Sequence, residues 1–170
     1  MPETRETETA DSSSEDDSVN ERPDPIGGAR TTDVSVLLVD DNEQWGTFVA
    51  RELERYLPGI DVTTATSANE GLRALRGDQS LECVVADYQM PEMDGLQFLE
   101  RVREEHPHLP FILVTAAGSE DVASRAINAG TTDYLVKDPS LNQAPLLANR
   151  IDAAVTEFRL RRAVEESEER

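Results

Sequence analysis

The chain has 170 residues, with 35 Asp and Glu against 16 Lys and Arg and a formal net charge of -19. That length fits one domain of ordinary size plus tails, and no stretch approaches the roughly 18 consecutive apolar residues of a membrane span. The charge repels nucleic-acid phosphates and anionic lipid, which excludes both as expected partners of this chain.

Residues 1–33 hold ten acids, three arginines and three prolines, with almost no large apolar side chain. Such a segment buries too little apolar surface to offset its ordering entropy, so a disordered acidic tail is expected. Glu3, Glu6 and Glu8 stand where a signal peptide carries basic and then apolar residues, and a cytoplasmic location is expected. From Val34 short apolar runs alternate with helical periodicity. The runs predict strands at Val34–Val39, Ile60–Ala65, Leu81–Ala86, Phe111–Thr115 and Tyr134–Val136. Between them, apolar residues three and four apart predict helices: Trp45, Phe48, Val49, Leu53 and Leu57; Leu72 and Leu75; Leu96, Leu99 and Val102; Val122, Ala126 and Ile127. Runs such as Val36-Leu37-Leu38-Val39 lack polar alternation, as in parallel strands buried on both faces. Right-handed crossovers then give a doubly wound α/β domain with helices on both faces. Cys83 lies inside one of these runs, where a buried structural thiol is expected.

The segment from about Asn142 to Arg170 reads as one extended helix with Leu147, Ile151, Ala154, Val155 and Phe158 on its apolar positions. Beyond Leu160 it is mostly charged. At about 1.5 Å per residue it runs roughly 40 Å, longer than needed to cover a sheet. Its second half is expected to leave the domain as a solvated end, a dimerising or signalling helix, or a linker. The expected division is a tail at 1–33, a domain at 34–160 and a charged helical extension at 161–170.

In an open parallel sheet, ligands sit beyond the carboxyl ends of the strands. The residues just past the apolar runs there are Asp40 and Asp41, Asp87, Thr115 and Lys137. Carboxylates crowded by separate strands raise one another's proton affinity, and a divalent cation removes that penalty. Oxygen ligands with open positions suit Mg²⁺, which keeps waters and accepts a phosphate oxygen. A carboxylate can attack phosphorus to give an acyl phosphate, with metal, ammonium and hydroxyl stabilising the charge.

The stretches Val39-Asp40-Asp41-Asn42, Val85-Ala86-Asp87-Tyr88-Gln89-Met90-Pro91-Glu92-Met93-Asp94-Gly95, Val114-Thr115-Ala116 and Asp133-Tyr134-Leu135-Val136-Lys137 resemble the receiver domain of two-component response regulators. The resemblance covers about residues 34–160. It implies a flavodoxin-like sheet of order 2-1-3-4-5, and a phosphoacceptor signalling domain that is no enzyme beyond its own phosphorylation and dephosphorylation. It implies Asp87 as acceptor of a phosphoryl group from a histidine kinase or a histidine phosphotransfer protein. Asp40, Asp41, Asp87 and the backbone carbonyl of Gln89 would hold Mg²⁺. Lys137 and Thr115 would stabilise the phosphoryl group, and Tyr134 would change rotamer as Thr115 moves. Pro91 and Gly95 would shape the following loop, with Asp94 as a helix cap. The family's lysine is usually followed directly by proline through a cis bond; here Asp138 intervenes before Pro139. A cis bond before a non-proline residue costs about 2.5 to 4 kcal/mol, so the bond is either trans or strained. Because of Asp138, the alternative is a degenerate receiver acting as a phosphorylation-independent protein-binding module.

Two other classes fail on single positions. An aspartate-nucleophile phosphatase needs a second acid two residues past the nucleophile, where Gln89 stands, and a nucleotide site needs a glycine-rich turn where Asp40-Asp41-Asn42-Glu43 stands. Some 30 residues follow the fifth strand, too few for a DNA-binding domain, so output is expected through an unidentified downstream protein or domain, or through a homodimer by the C-terminal helix. Fifteen of the sixteen basic residues are Arg, and the only Lys is Lys137. Heavy acidity with almost no Lys resembles proteins of extreme halophiles. A guanidinium fork is no substitute for a compact ammonium, which explains a lysine retained at this position.

Overall fold

The computed structural model of the chain describes residues 33–116, 118–138 and 142–168. The acidic tail up to residue 32 and the last two residues of the helical extension lie outside these. Five strands alternate with five helices: β1 Ser35–Val39, α1 Glu43–Tyr56, β2 Asp61–Ala65, α2 Ala68–Gly77, β3 Cys83–Asp87, α3 Gly95–Glu105, β4 Phe111–Thr115, α4 Glu120–Ala129, β5 Asp133–Val136 and α5 Ala144–Glu168. All strand pairs are parallel and the order is β2-β1-β3-β4-β5. This is the doubly wound fold expected from the sequence.

Burial follows the composition of each strand. β3 and β4 are buried along their whole length, whereas β2, with Thr63 and Thr64 exposed, takes one edge and β5 the other. Because side chains alternate across a strand, β1 feeds two cores. Leu37 and Val39 join Leu72, Leu99, Phe98 and Phe111 beneath α2, α3 and α4. Val36 and Leu38 join Val49, Leu53, Ile151 and Val155 beneath α1 and α5. Cys83 lies in the second core as a free thiol, and burial pushes its pKa up.

Two apolar residues of the helical pattern face outward: Phe48 is 56% exposed and Ile127 67%. α1 packs through Gly46, Val49 and Leu53, so Phe48 lies off the buried stripe, and α4 packs through Val122 and Ala126. The third strand begins at Cys83 rather than Leu81, and on the approach to it Glu82 N–H donates to Ser35 C=O at 2.8 Å. α5 is unbroken over 25 residues and passes residue 160 without interruption. Arg159 on this helix clasps Glu82 with two bonds of 2.6 and 2.7 Å, and Arg150 pairs with Asp133 at 2.9 Å.

Candidate functional site

Strand register brings the chemistry to one edge. Val39 is paired with Ala86, Asp87 with Val114, and Thr115 with Val136. Asp40, Asp87, Thr115 and Lys137 therefore stand within one residue of a common line across β1, β3, β4 and β5. Asp40, Asp41 and Asp87 each offer a carboxylate oxygen, and the three atoms lie within 4.8 Å of one another. Asp40 is 2% exposed and Asp87 8%, while Asp41 is open to solvent. Lys137 Nζ donates to Asp40 Oδ2 at 2.9 Å and lies 3.6 Å from Asp87 Oδ1. Thr115 is fully buried at the end of β4, and its carbonyl accepts from Lys137 N–H at 2.7 Å.

The charges at this edge are out of balance. Burial first, then the neighbouring Asp40 and Asp41, push the Asp87 carboxyl from 3.8 up to about 6, against the opposing pull of Lys137 and the N–H of Gln89. A donor set of three close carboxylates that repel one another, one of them facing solvent, fits a hard divalent cation that retains waters.

Local structure holds these groups in place. Asp40 Oδ1 accepts from Asn42 N–H at 2.8 Å, and Asn42 Oδ1 in turn accepts from Trp45 N–H at 3.1 Å, capping α1. Beyond Asp87 the chain turns through Tyr88–Met93, with Glu92 in the left-handed region at φ 68. Gly95 is required by close approach: a Cβ there would meet the Asp87 carbonyl oxygen at 2.5 Å and Tyr88 Cα at 2.8 Å. Asp94 caps α3 through Leu96 and Gln97 N–H, both at 2.9 Å, and Gln97 Oε1 accepts from Asp94 N–H, closing a capping box. Gln89 is exposed on this turn. Tyr134 places its hydroxyl in a buried position where it finds no hydrogen-bond partner among the described residues.

Two residues at this edge were not visible as such in the sequence. Gln143, just before α5, accepts from Asp138 N–H at 2.8 Å and donates to Val136 C=O at 2.8 Å. A proline after Lys137 would have no N–H; Asp138 has one, and Gln143 supplies its acceptor. The Lys137–Asp138 bond is trans. Trp45 lays its ring 3.9 Å from Lys137 Nζ. The only sequence signal for either was position: one residue inside the first helix, the other two residues past Leu141.

Residues 36–148 match the family model described as response regulator receiver domain. The DNA-binding transcriptional regulator NtrC of Salmonella typhimurium is 36% identical over 117 residues, 68% of this chain and 24% of that protein. The probable transcriptional regulatory protein TcrX of Mycobacterium tuberculosis is 35% identical over 113 residues, 66% of this chain and 47% of that protein. The chain thus spans between a quarter and a half of these relatives. Among solved structures, a response regulator receiver domain protein from Clostridium thermocellum superposes with a TM-score of 0.68 at 30% identity, covering 75% of this chain and 98% of the other. A CheY-like receiver domain protein from Methanospirillum hungatei gives 0.63 at 28%, covering 73% and 98%.

Proposed function

Because the chain belongs to the family of response regulator receiver domains, we propose that Asp87 accepts a phosphoryl group from a histidine kinase or a histidine phosphotransfer protein and that the modified domain changes its protein contacts. The observation that carries this reading is three carboxylates with ligand atoms within 4.8 Å of one another, bridged at Asp40 and Asp87 by a single ammonium.

An Asp87 carboxylate oxygen attacks phosphorus of the donor's phosphohistidine. The P–N bond breaks, its electron pair stays on the imidazole nitrogen, which then takes a proton, and Asp87 is left as an acyl phosphate. Asp40, Asp41, Asp87 and the carbonyl of Gln89 would hold Mg²⁺, which when bound neutralises charge on the transferring group. Lys137 holds Asp40 and Asp87 at one point and faces the oxygens the phosphoryl group brings. Thr115, buried at the adjoining strand end, donates its hydroxyl to them. The new group carries about -1.5 to -2 of charge, and Tyr134 is suited to answer it: its buried hydroxyl has no hydrogen-bond partner among the described residues, so a rotamer that gives it one would make the ring a two-state element. We read the composition as that of a halophile's cytoplasmic protein, supported by the charge of -19 and fifteen Arg to one Lys.

Intact mass after incubation with acetyl phosphate and Mg²⁺ in high-salt buffer tests the assignment. One phosphoryl group should add to the wild type and none to Asp87→Asn. Uptake by both variants would sink the assignment to Asp87. No uptake by a folded wild type would favour the phosphorylation-independent binding module.

A further inference from the structure

The only tryptophan and the only lysine of the chain meet at the site. Lys137 Nζ lies 2.9 Å from Asp40 Oδ2, 3.6 Å from Asp87 Oδ1 and 3.9 Å from the centroid of the Trp45 ring, and its side chain is mostly buried. An ammonium over the indole face is attracted by the ring quadrupole, more strongly where water is excluded. The stem of a lysine is a flexible four-carbon chain, and the ring adds a third contact to the two carboxylates that already hold its nitrogen. The ring has its own support. Trp45 lies in the first turn of α1, its N–H bonded to the Asn42 cap, whose N–H is in turn bonded to Asp40. Carboxylate, cap, ring and ammonium therefore form a closed circuit: Asp40 anchors the turn that carries the ring that covers the cation that pairs with Asp40.

Resting on the phosphoacceptor reading above, we propose that Trp45 is a positioning residue for phosphoryl transfer, holding the Lys137 ammonium between the Asp40 and Asp87 carboxylates by a cation–π contact. Donors set in place before charge develops stabilise it without reorganising when the group arrives. The ring narrows the positions open to an ammonium that the two carboxylates already hold. Screening by salt weakens the pairing of exposed charges, whereas the ring also keeps water and ions off one side of the ammonium.

The unique tryptophan makes the test selective. Growth of a tryptophan auxotroph on mono-, di- and trifluorotryptophan changes position 45 alone, withdrawing electron density from the ring face while nearly preserving its shape. Phosphoryl uptake from acetyl phosphate should slow stepwise with fluorine number, by about threefold to tenfold across the series, at a constant thermal midpoint. A rate that stays flat across the series overturns the proposal. Labelled lysine gives a single NMR signal, and the ε-methylene protons of Lys137 should be displaced upfield by the indole ring current and return toward the solvent-exposed position in Trp45→Leu. An undisplaced signal in the wild type likewise overturns it. If wild type takes up no phosphoryl group at all, the phosphoacceptor reading fails and the transfer role falls with it, while the lysine signal separately reports whether the contact exists.

Discussion

The two edges of the sheet handle polarity in opposite ways. At the edge where the strands begin, most charged and polar groups are matched, with a buried Asp152 Oδ1 near Arg159 as an exception among the described residues. Arg159 forks onto Glu82 with bonds of 2.6 and 2.7 Å, Arg103 donates to the carbonyls of Gly130 and His106, both at 2.9 Å, and Thr132 Oγ1 accepts from Phe111 N–H. At the edge where the strands end, one ammonium serves two of three clustered carboxylates, a phenol is buried with no hydrogen-bond partner among the described residues, and Asp87 is pushed up to about 6. One edge is built for stability. The other leaves like charges crowded together, as the proposed cation and phosphoryl site requires.

The largest expected effect belongs to Asp87→Asn, which should lose phosphoryl uptake entirely yet stabilise the metal-free domain. Removing a buried, repelled carboxylate is expected to raise stability by about 1 to 2 kcal/mol after discounting for solvent screening. Urea unfolding in EDTA reads this, and a lower midpoint in the variant would show that the unmatched edge carries no stored cost.

pH sharpens the same contrast. Since the folded Asp87 holds its proton up to about 6 and an ordinary carboxylate only to 3.8, the native state binds more protons between these values. The contribution of this group to metal-free stability is therefore largest below 4, falls as pH rises from about 4 to 6, and is flat above. Added Mg²⁺ should raise the thermal midpoint more at pH 7.5 than at pH 5, and should lose most of its effect in Asp87→Asn. Equal gains at both pH values in the wild type would contradict the assigned titration.

At the matched edge, Arg159→Ala should cost about 1 kcal/mol in urea unfolding and leave the initial rate of uptake from acetyl phosphate unchanged. Lysine at 159 should recover only part of the loss, because it cannot fork onto Glu82. A fall in uptake rate would mean that the two edges are coupled. The smallest expected effect is that of Gln143→Ala, which removes both bonds closing the turn after Lys137. It should lower stability by at most about 1 kcal/mol and slow uptake slightly. Gln143→Glu keeps the acceptor for Asp138 N–H and should fall between the two.

The parts of this molecule legible in its sequence are those set by local period. Val36-Leu37-Leu38-Val39 and Phe111-Ile112-Leu113-Val114 announce buried strands, and the residues just past such runs, Asp40, Asp87, Thr115 and Lys137, stand at the site edge because strands in a parallel sheet end together. Asp94 announced its cap by chemistry and position alike. What stayed hidden depends on distance along the chain. The Glu82–Arg159 clasp joins residues 77 apart, and Trp45 meets Lys137 only because α1 and β5 converge on the same edge. Phe48 shares the apolar spacing of α1, but which neighbouring residue turns inward is decided by the elements it packs on. Gln143 was hidden for another reason: its role exists only because Asp138 offers an N–H where proline would not.

The continuity of α5 has a mechanical consequence. The helix starts one residue after Gln143, whose side chain grips the strand end beside Lys137, and runs 25 residues as one rod. Of its roughly 38 Å, about 23 Å lie before Arg159 and about 14 Å beyond it, so a tilt of about 5° about that residue moves the base by about 2 Å and the far end by about 1 Å. The clasp of Arg159 to Glu82 sits well along that rod and is placed to serve as its pivot, so the exposed turns beyond it, carrying Leu160 and Val164, form the short arm of a lever whose long arm begins at the carboxylate edge.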